Sequence, residues 1–216
     1  MNVALDHQQL ADNPPVRSYP VAAGALQMWD EIERYDLARH VAELEVKGYT
    51  VIPPEKVAPA GYADRLLKAA LRVTEERTGI RLTPDMTSDE TNPLLKHGFG
   101  MPLVYTLFDD PLFQDALLNP VALTLTTYLL GNNALLSDCS ILLKGPGGED
   151  LALHADSFRV PDPLPKLPVI GNITWALTDY TRDNGAIAVV PGSHKYHRRP
   201  LKNEGWTERV PVEAKA

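Results

Sequence analysis

The sequence predicts a mainly β protein of the α+β class, a sheet sandwich with helices packed on its outside. Two observations carry that expectation. Helical periodicity fills the first part of the chain, residues 36–131, and closely spaced short strands follow over residues 134–200. Turn-forming residues separate the strands, as in antiparallel sandwiches and barrels.

The elements follow in chain order. Met1 to Pro20 reads as a polar, proline-containing flexible arm. From Asp36 a helical stripe carries Leu37, Val41 and Leu44, with Gly48 placed as its C-terminal stop. Tyr49 to Ile52 is a β-prone run ended by Pro53 and Pro54. A second helix is expected over Gly61 to Thr78, with Leu66, Leu67, Ala70, Leu71 and Val73 on its apolar side. Residues 79–100, rich in Thr, Asp, Pro and Gly, read as a loop. Phe113 to Leu118 and Val121 to Leu130 are helical pieces parted by Asn119-Pro120 and closed by Gly131. Strands are then expected at Ala134–Lys144, Leu151–Asp156, Val169–Asp179 and Ala186–Val190. Asp183-Asn184-Gly185 marks the last turn between them. The stretch from Lys195 to Ala216 is polar and without periodicity. Four strands do not close a jelly roll, so the barrel reads as incomplete within one domain spanning residues 1–216.

Composition narrows the function. The 216 residues carry a formal net charge of −7 and no Lys/Arg cluster, which disfavours nucleic-acid and anionic-membrane surfaces. No run reaches the ~20 apolar residues of a membrane span, and Met1 to Val16 lacks the apolar core of a signal peptide. One cysteine, Cys139, permits no internal disulfide and reads as a small buried hydrophobe. The expectation is a cytoplasmic protein with a small-molecule partner.

The sharpest chemical feature is His154-Ala155-Asp156 on an expected strand. Alternation sends residues i and i+2 to one face, so imidazole and carboxylate project together. A His and a carboxylate are two-thirds of the facial triad that holds non-haem Fe(II) with open positions. The glycines at 145, 147 and 148 do not make a phosphate loop, because no Gly-Lys-Ser/Thr follows. Ser193-His194 lacks the G-x-S-x-G elbow of a hydrolase.

Context sharpens the triplet. Thr174-Trp175-Ala176-Leu177-Thr178-Asp179, Asn184-Gly185-Ala186 and Val189-Val190-Pro191-Gly192-Ser193-His194, with Gly48-Tyr49-Thr50-Val51-Ile52 upstream, resemble the phytanoyl-CoA dioxygenase family over Leu37 to Pro200. The resemblance implies a double-stranded β-helix, a cupin-like jelly roll. It also implies Fe(II), 2-oxoglutarate as cosubstrate and O₂, with ascorbate as a supporting reductant. Turnover in that family decarboxylates 2-oxoglutarate to succinate and hydroxylates a C–H bond. By the same resemblance His154 and Asp156 are metal ligands, and Ser140 and Thr174 line the cosubstrate pocket. Lys144 shares the face of Ser140 and could balance a carboxylate. Arg159 and the loop Val160 to Leu167 border the pocket mouth.

The chain departs from the family pattern at its end. The family's distal histidine, and the arginine that anchors 2-oxoglutarate, have no match before Ala216. Arg198, Arg199 and Arg209 follow no histidine in the required context. His194 belongs to a structural turn, and His194 and His197 are the remaining downstream candidates for a third ligand. The expectation is that the sequence is a fragment of an oxygenase, with an inactive relative serving as a jelly-roll binding protein as the alternative. A cupin-like isomerase or hydrolase using another divalent metal is permitted by His and Asp alone. That reading leaves the extended motif unexplained. Acyl-CoA thioesters, small zwitterions and secondary metabolites are all hydroxylated on this scaffold, so fold does not choose the substrate.

Overall fold

The computed structural model describes residues 20–83, 85–87, 90, 101–148 and 150–216. The arm before Pro20, and most of the segment between Thr83 and Met101, lie outside the described residues.

Helices come first, as the periodicity predicts. Helix α1 spans Pro20–Arg34, α2 Ala38–Lys47, α3 Pro54–Val57 and α4 Tyr62–Thr78. Helix α1 was not expected. Its inward positions Met28, Ile32 and the following Tyr35 recur at i, i+4 and i+7, so the signal was present. Gly48 ends α2 at φ 83°, its N–H bonded to the Leu44 carbonyl at 2.9 Å, and Gly79 ends α4 at φ 72° in the same way. Both are left-handed caps that glycine adopts without strain.

After strand β1, Met101–Leu103, come α5, Pro111–Leu117, and α6, Pro120–Leu130. Asp110 caps α5 by accepting from the Leu112 N–H at 2.8 Å, and that bond is the main cause of its lowered pKa. Asn119 caps α6 by accepting from the Val121 and Ala122 N–H groups, while its own amide donates to the Val57 carbonyl at 2.6 Å. Two apolar cores result. In one, Ile32 and Leu37 meet Val121 and Leu125 where α1 packs on α6. In the other, Leu66, Ala70 and Val73 of α4 meet Phe113 and the strand residues Leu103 and Ile141.

The strands differ most from expectation. Of Ala134–Lys144, only β2, Ile141–Leu143, forms a ladder, antiparallel to β1 with Leu103 opposite Ile141. Of Ala186–Val190, Ala188–Val189 pairs as β3 with β4, Val210–Pro211, and an isolated bridge joins Tyr180 to Ala214. Leu151–Asp156 and Val169–Asp179 form no ladder among the described residues. The physical reason is that alternation reports which face is apolar, whereas a strand also needs a partner that only the tertiary fold supplies. In the second run apolar side chains turn inward only near its end, since Val169, Ile170 and Ile173 are exposed. Trp175 and Leu177 pack against the α4 core, with Trp175 5.3 Å from the Tyr62 ring, while Thr174 and Thr178 face out.

Tyr49 to Ile52 likewise forms no strand, and is tied instead by side chains. The Thr50 hydroxyl donates to Glu43 at 2.7 Å and accepts from His40 Nδ1 at 2.8 Å. His40 is only 8% exposed, and burial pushes its pKa down. The histidine is usable there because Thr50 satisfies it.

The Pro191-Gly192-Ser193 turn seats on the end of α2. The Gly192 N–H donates to the Lys47 carbonyl at 2.8 Å, and His194 Nε2 lies 3.2 Å from the Glu45 carbonyl. The His194 ring covers Gly48 so closely that a Cβ there would lie 2.5 Å from Nδ1. Gly48→Ala therefore combines a left-handed backbone with a clash. Its expected cost is about 1–3 kcal/mol of stability, read from the denaturant midpoint. An unchanged midpoint would refute the seat.

Candidate functional site

His154 and Asp156 converge even though no ladder holds their segment. Asp156 sits at φ −70°, ψ −5°, and opens a short 3₁₀ turn over Ser157–Arg159. Strand alternation therefore does not explain the convergence, and the expected Leu151–Asp156 strand is corrected on that point. Hydrogen bonds do the work instead. His154 Nδ1 lies 2.8 Å from the Ala152 carbonyl. A carbonyl only accepts, so Nδ1 carries a proton, and a neutral ring would present its lone pair at Nε2. On the other side, the Asn172 amide donates to Asp156 Oδ2. What remain are Nε2 and Oδ1, facing each other 3.2 Å apart.

Two electron-pair acceptors so placed need a cation between them, either a proton or a metal ion. Donors about 2.1 Å from a first-row divalent metal, at right angles around it, lie about 3 Å apart. The observed separation fits two adjacent ligand positions. The outer bonds also fit, because metal-binding histidines and carboxylates are oriented by such second partners. Both side chains are accessible, 53% and 46% exposed. Among the described residues no third His, Cys, Asp or Glu joins them. His194 is engaged at the end of α2. His197 sits in a left-handed conformation at φ 52°.

The other sequence-derived residues are placed as follows. Ser140 and Lys144 flank β2 and share its exposed face with Leu142, while Ile141 is buried beneath. Thr174 is exposed two residues beyond Asn172. No hydrogen bond or ion pair joins Ser140 or Thr174 to His154 or Asp156 among the described residues. Arg159 is exposed, its guanidinium 5.3 Å from the Phe158 ring. Cys139 is half-buried against the α4 core, and its carbonyl accepts both the N–H and the hydroxyl of Thr106 at 2.8 Å.

Sequence reasoning missed Asn172 and Ala152. The Ala152 contact is made through a backbone carbonyl, so no side-chain signal exists for it. Asn172 lies 16 residues beyond Asp156 in an apolar run, where a lone amide is the available clue.

Comparison with known proteins gives the family. The family model described as phytanoyl-CoA dioxygenase (PhyH) matches residues 44–216. A protein named "Dioxygenase af480", from Aspergillus fumigatus, is 43% identical over 88 residues, covering 40% of this chain and 28% of that relative. The chain therefore aligns with less than a third of that relative's length. No solved structure matches the chain. The family's fold is a cupin-like jelly roll, in keeping with helices ahead of short antiparallel pairs. No helix among the described residues is long and apolar enough to cross a membrane. Because that family model spans residues 44–216, most of the chain, the chain belongs to the phytanoyl-CoA dioxygenase family.

Proposed function

We propose that the protein is a non-haem Fe(II)- and 2-oxoglutarate-dependent oxygenase that hydroxylates a C–H bond of a small organic substrate. The observation that carries this reading is the facing pair of His154 Nε2 and Asp156 Oδ1, each oriented from behind by a second partner. Bound there, Fe(II) would supply the oxidising chemistry in which O₂ and 2-oxoglutarate give succinate, CO₂ and a hydroxylated product. The chain's own residues prepare the site. Ala152 keeps the imidazole proton on Nδ1, so Nε2 is free to bind. Asn172 occupies Oδ2, so Oδ1 is the oxygen presented. The carboxylate of Asp156 also favours hydroxylation over halogenation, because related halogenases free that position for halide. Ser140 and Thr174 are assigned to the cosubstrate on the family pattern, and Lys144, on the face of Ser140, to balancing a carboxylate.

The absence of a third ligand among the described residues favours one competing reading, a jelly-roll binding protein in which His154 and Asp156 form an ordinary ion pair. One assay separates the two. Protein purified from its natural source, given Fe(II), ascorbate, 2-oxoglutarate and O₂, is expected to form succinate. The yield should fall to background when Fe(II) is chelated. Its intact mass is read alongside and compared with 23.8 kDa, which tells whether further residues take part. No succinate, together with no saturable Fe(II) binding, would establish the ion-pair reading.

A further inference from the structure

The ligand-bearing segment has no ladder partner among the described residues, yet it is gripped at both ends by one later stretch of chain. Beyond Asp156, Arg199 reaches back about forty residues. Its Nη2 donates to the Ser157 carbonyl at 2.6 Å and to the Val160 carbonyl, while Nη1 meets Asp162 Oδ1 at 2.8 Å. Ahead of His154, Arg209 Nη2 meets Asp150 Oδ2 at 3.0 Å, and the Arg209 guanidinium lies 3.6 Å over the Trp206 ring. Between the two arginines, Gly205 turns at φ 74° against Val190 and Leu153. A Cβ there would lie 2.8 Å from Val190 Cγ2 and 3.7 Å from Leu153 Cδ1. Residues 199–209 thus cross the 150–162 segment, touching it before, beside and after the His154/Asp156 pair.

We infer that Arg199 and Arg209 are positioning residues, a two-point brace that holds the metal-binding segment in place of a sheet ladder. This deepens the oxygenase reading and rests on it for the metal. Guanidinium chemistry suits the role. A planar fork with five donors can serve two carbonyls and a carboxylate at once, which a lysine ammonium on a flexible stem does not reproduce. The Ser157 and Val160 carbonyls belong to the turn that directly follows Asp156, so holding them fixes the direction in which that carboxylate leaves the backbone. Asp162 extends the grip into the loop that follows. Arg209 fixes the approach to His154 from the other side.

The test uses the full chain and its R199A, R199K and R209A variants, with Mn(II) as a redox-silent probe followed by its spin-resonance signal. Amide hydrogen exchange over residues 150–162 is read in parallel. R199A is expected to speed exchange at residues 156–162 by about tenfold or more. It should weaken Mn(II) binding about 10–100-fold, the range for loss of an outer partner. R199K should recover only part of both losses. R209A should act mainly on residues 150–154. Asp162→Asn and Asp150→Asn cut the brace one contact at a time, and serve if an arginine variant fails to fold. Unchanged exchange over 150–162 in every variant would overturn the brace. Where H154A abolishes Mn(II) binding, faster exchange with Mn(II) affinity unchanged would overturn it too, since the contacts would then be merely structural. A separate H154A control isolates the metal reading. If Mn(II) binding ignores H154A, the proposed site is wrong, and the exchange profile alone decides whether the brace exists.

Discussion

Replacing Asp156 with alanine leaves a folded protein that no longer couples iron to succinate formation. The carboxylate supplies Oδ1, one of two donors in the facing pair, and no other described acidic residue stands ready to replace it. Losing an outer partner of a metal ligand costs about 10–100-fold, so losing the ligand itself costs more than that. Stability responds far less. Asp156 is 46% exposed, and its partner Asn172 is exposed too, so water takes over the amide's hydrogen bond. The melting temperature is expected to match that of the parent, within the roughly ±0.5 kcal/mol usual for surface substitutions. The measurement pairs the succinate assay with a thermal melt. Activity that survives the substitution sinks the metal assignment. A collapsed melt would instead mean that Asp156 is structural.

The contrast between helices and strands shows what local sequence can specify. Gly48 and Gly79 end their helices because only a residue without Cβ enters the left-handed region freely, and that constraint is local. Asn119 and Pro120 part α5 from α6 by equally local means, a cap and a missing N–H. Strand pairing is not local. Leu103 faces Ile141 across 38 residues, and Ala188 faces Pro211, in a stretch whose polar sequence carries no strand period. The site divides along the same line. His154-x-Asp156 was legible as a pair of donors, and the expectation of convergence holds. The cause given for it does not, because the Ala152 carbonyl and Asn172 aim the two groups without a pleated strand. The burial of His40 rests on a related dependence. A buried histidine needs a partner, and Thr50 is brought to it by the turn after Gly48.

The largest loss of stability is expected from Leu37→Ala. Leu37 is fully buried, and it sits at the junction of α1 and α2. Its N–H donates to the Ile32 carbonyl at 2.9 Å, and its own carbonyl accepts from the Val41 N–H at 2.9 Å. The side chain shares a core with Ile32, Val121 and Leu125, so it joins three helices at one point. Truncation removes the transfer free energy and leaves a cavity, typically about 2–5 kcal/mol. Against a total of roughly 5–15 kcal/mol, that is a large fraction. For a chain of this size each kcal/mol lowers the melting temperature by about 2–4 °C, so a fall of about 4–20 °C is expected. Leu135→Ala provides the comparison, because that leucine is 92% exposed and should change stability by no more than about 0.5 kcal/mol. The effect also reaches beyond the helices. The C-terminal end of α2 is the seat for Gly192 and His194, so a loosened α2 should free the turn that follows β3. Hydrogen exchange at the Gly192 amide, bonded to the Lys47 carbonyl, reports that coupling directly. If Leu37→Ala and Leu135→Ala melt alike, the three-helix junction is not where the helical layer draws its stability.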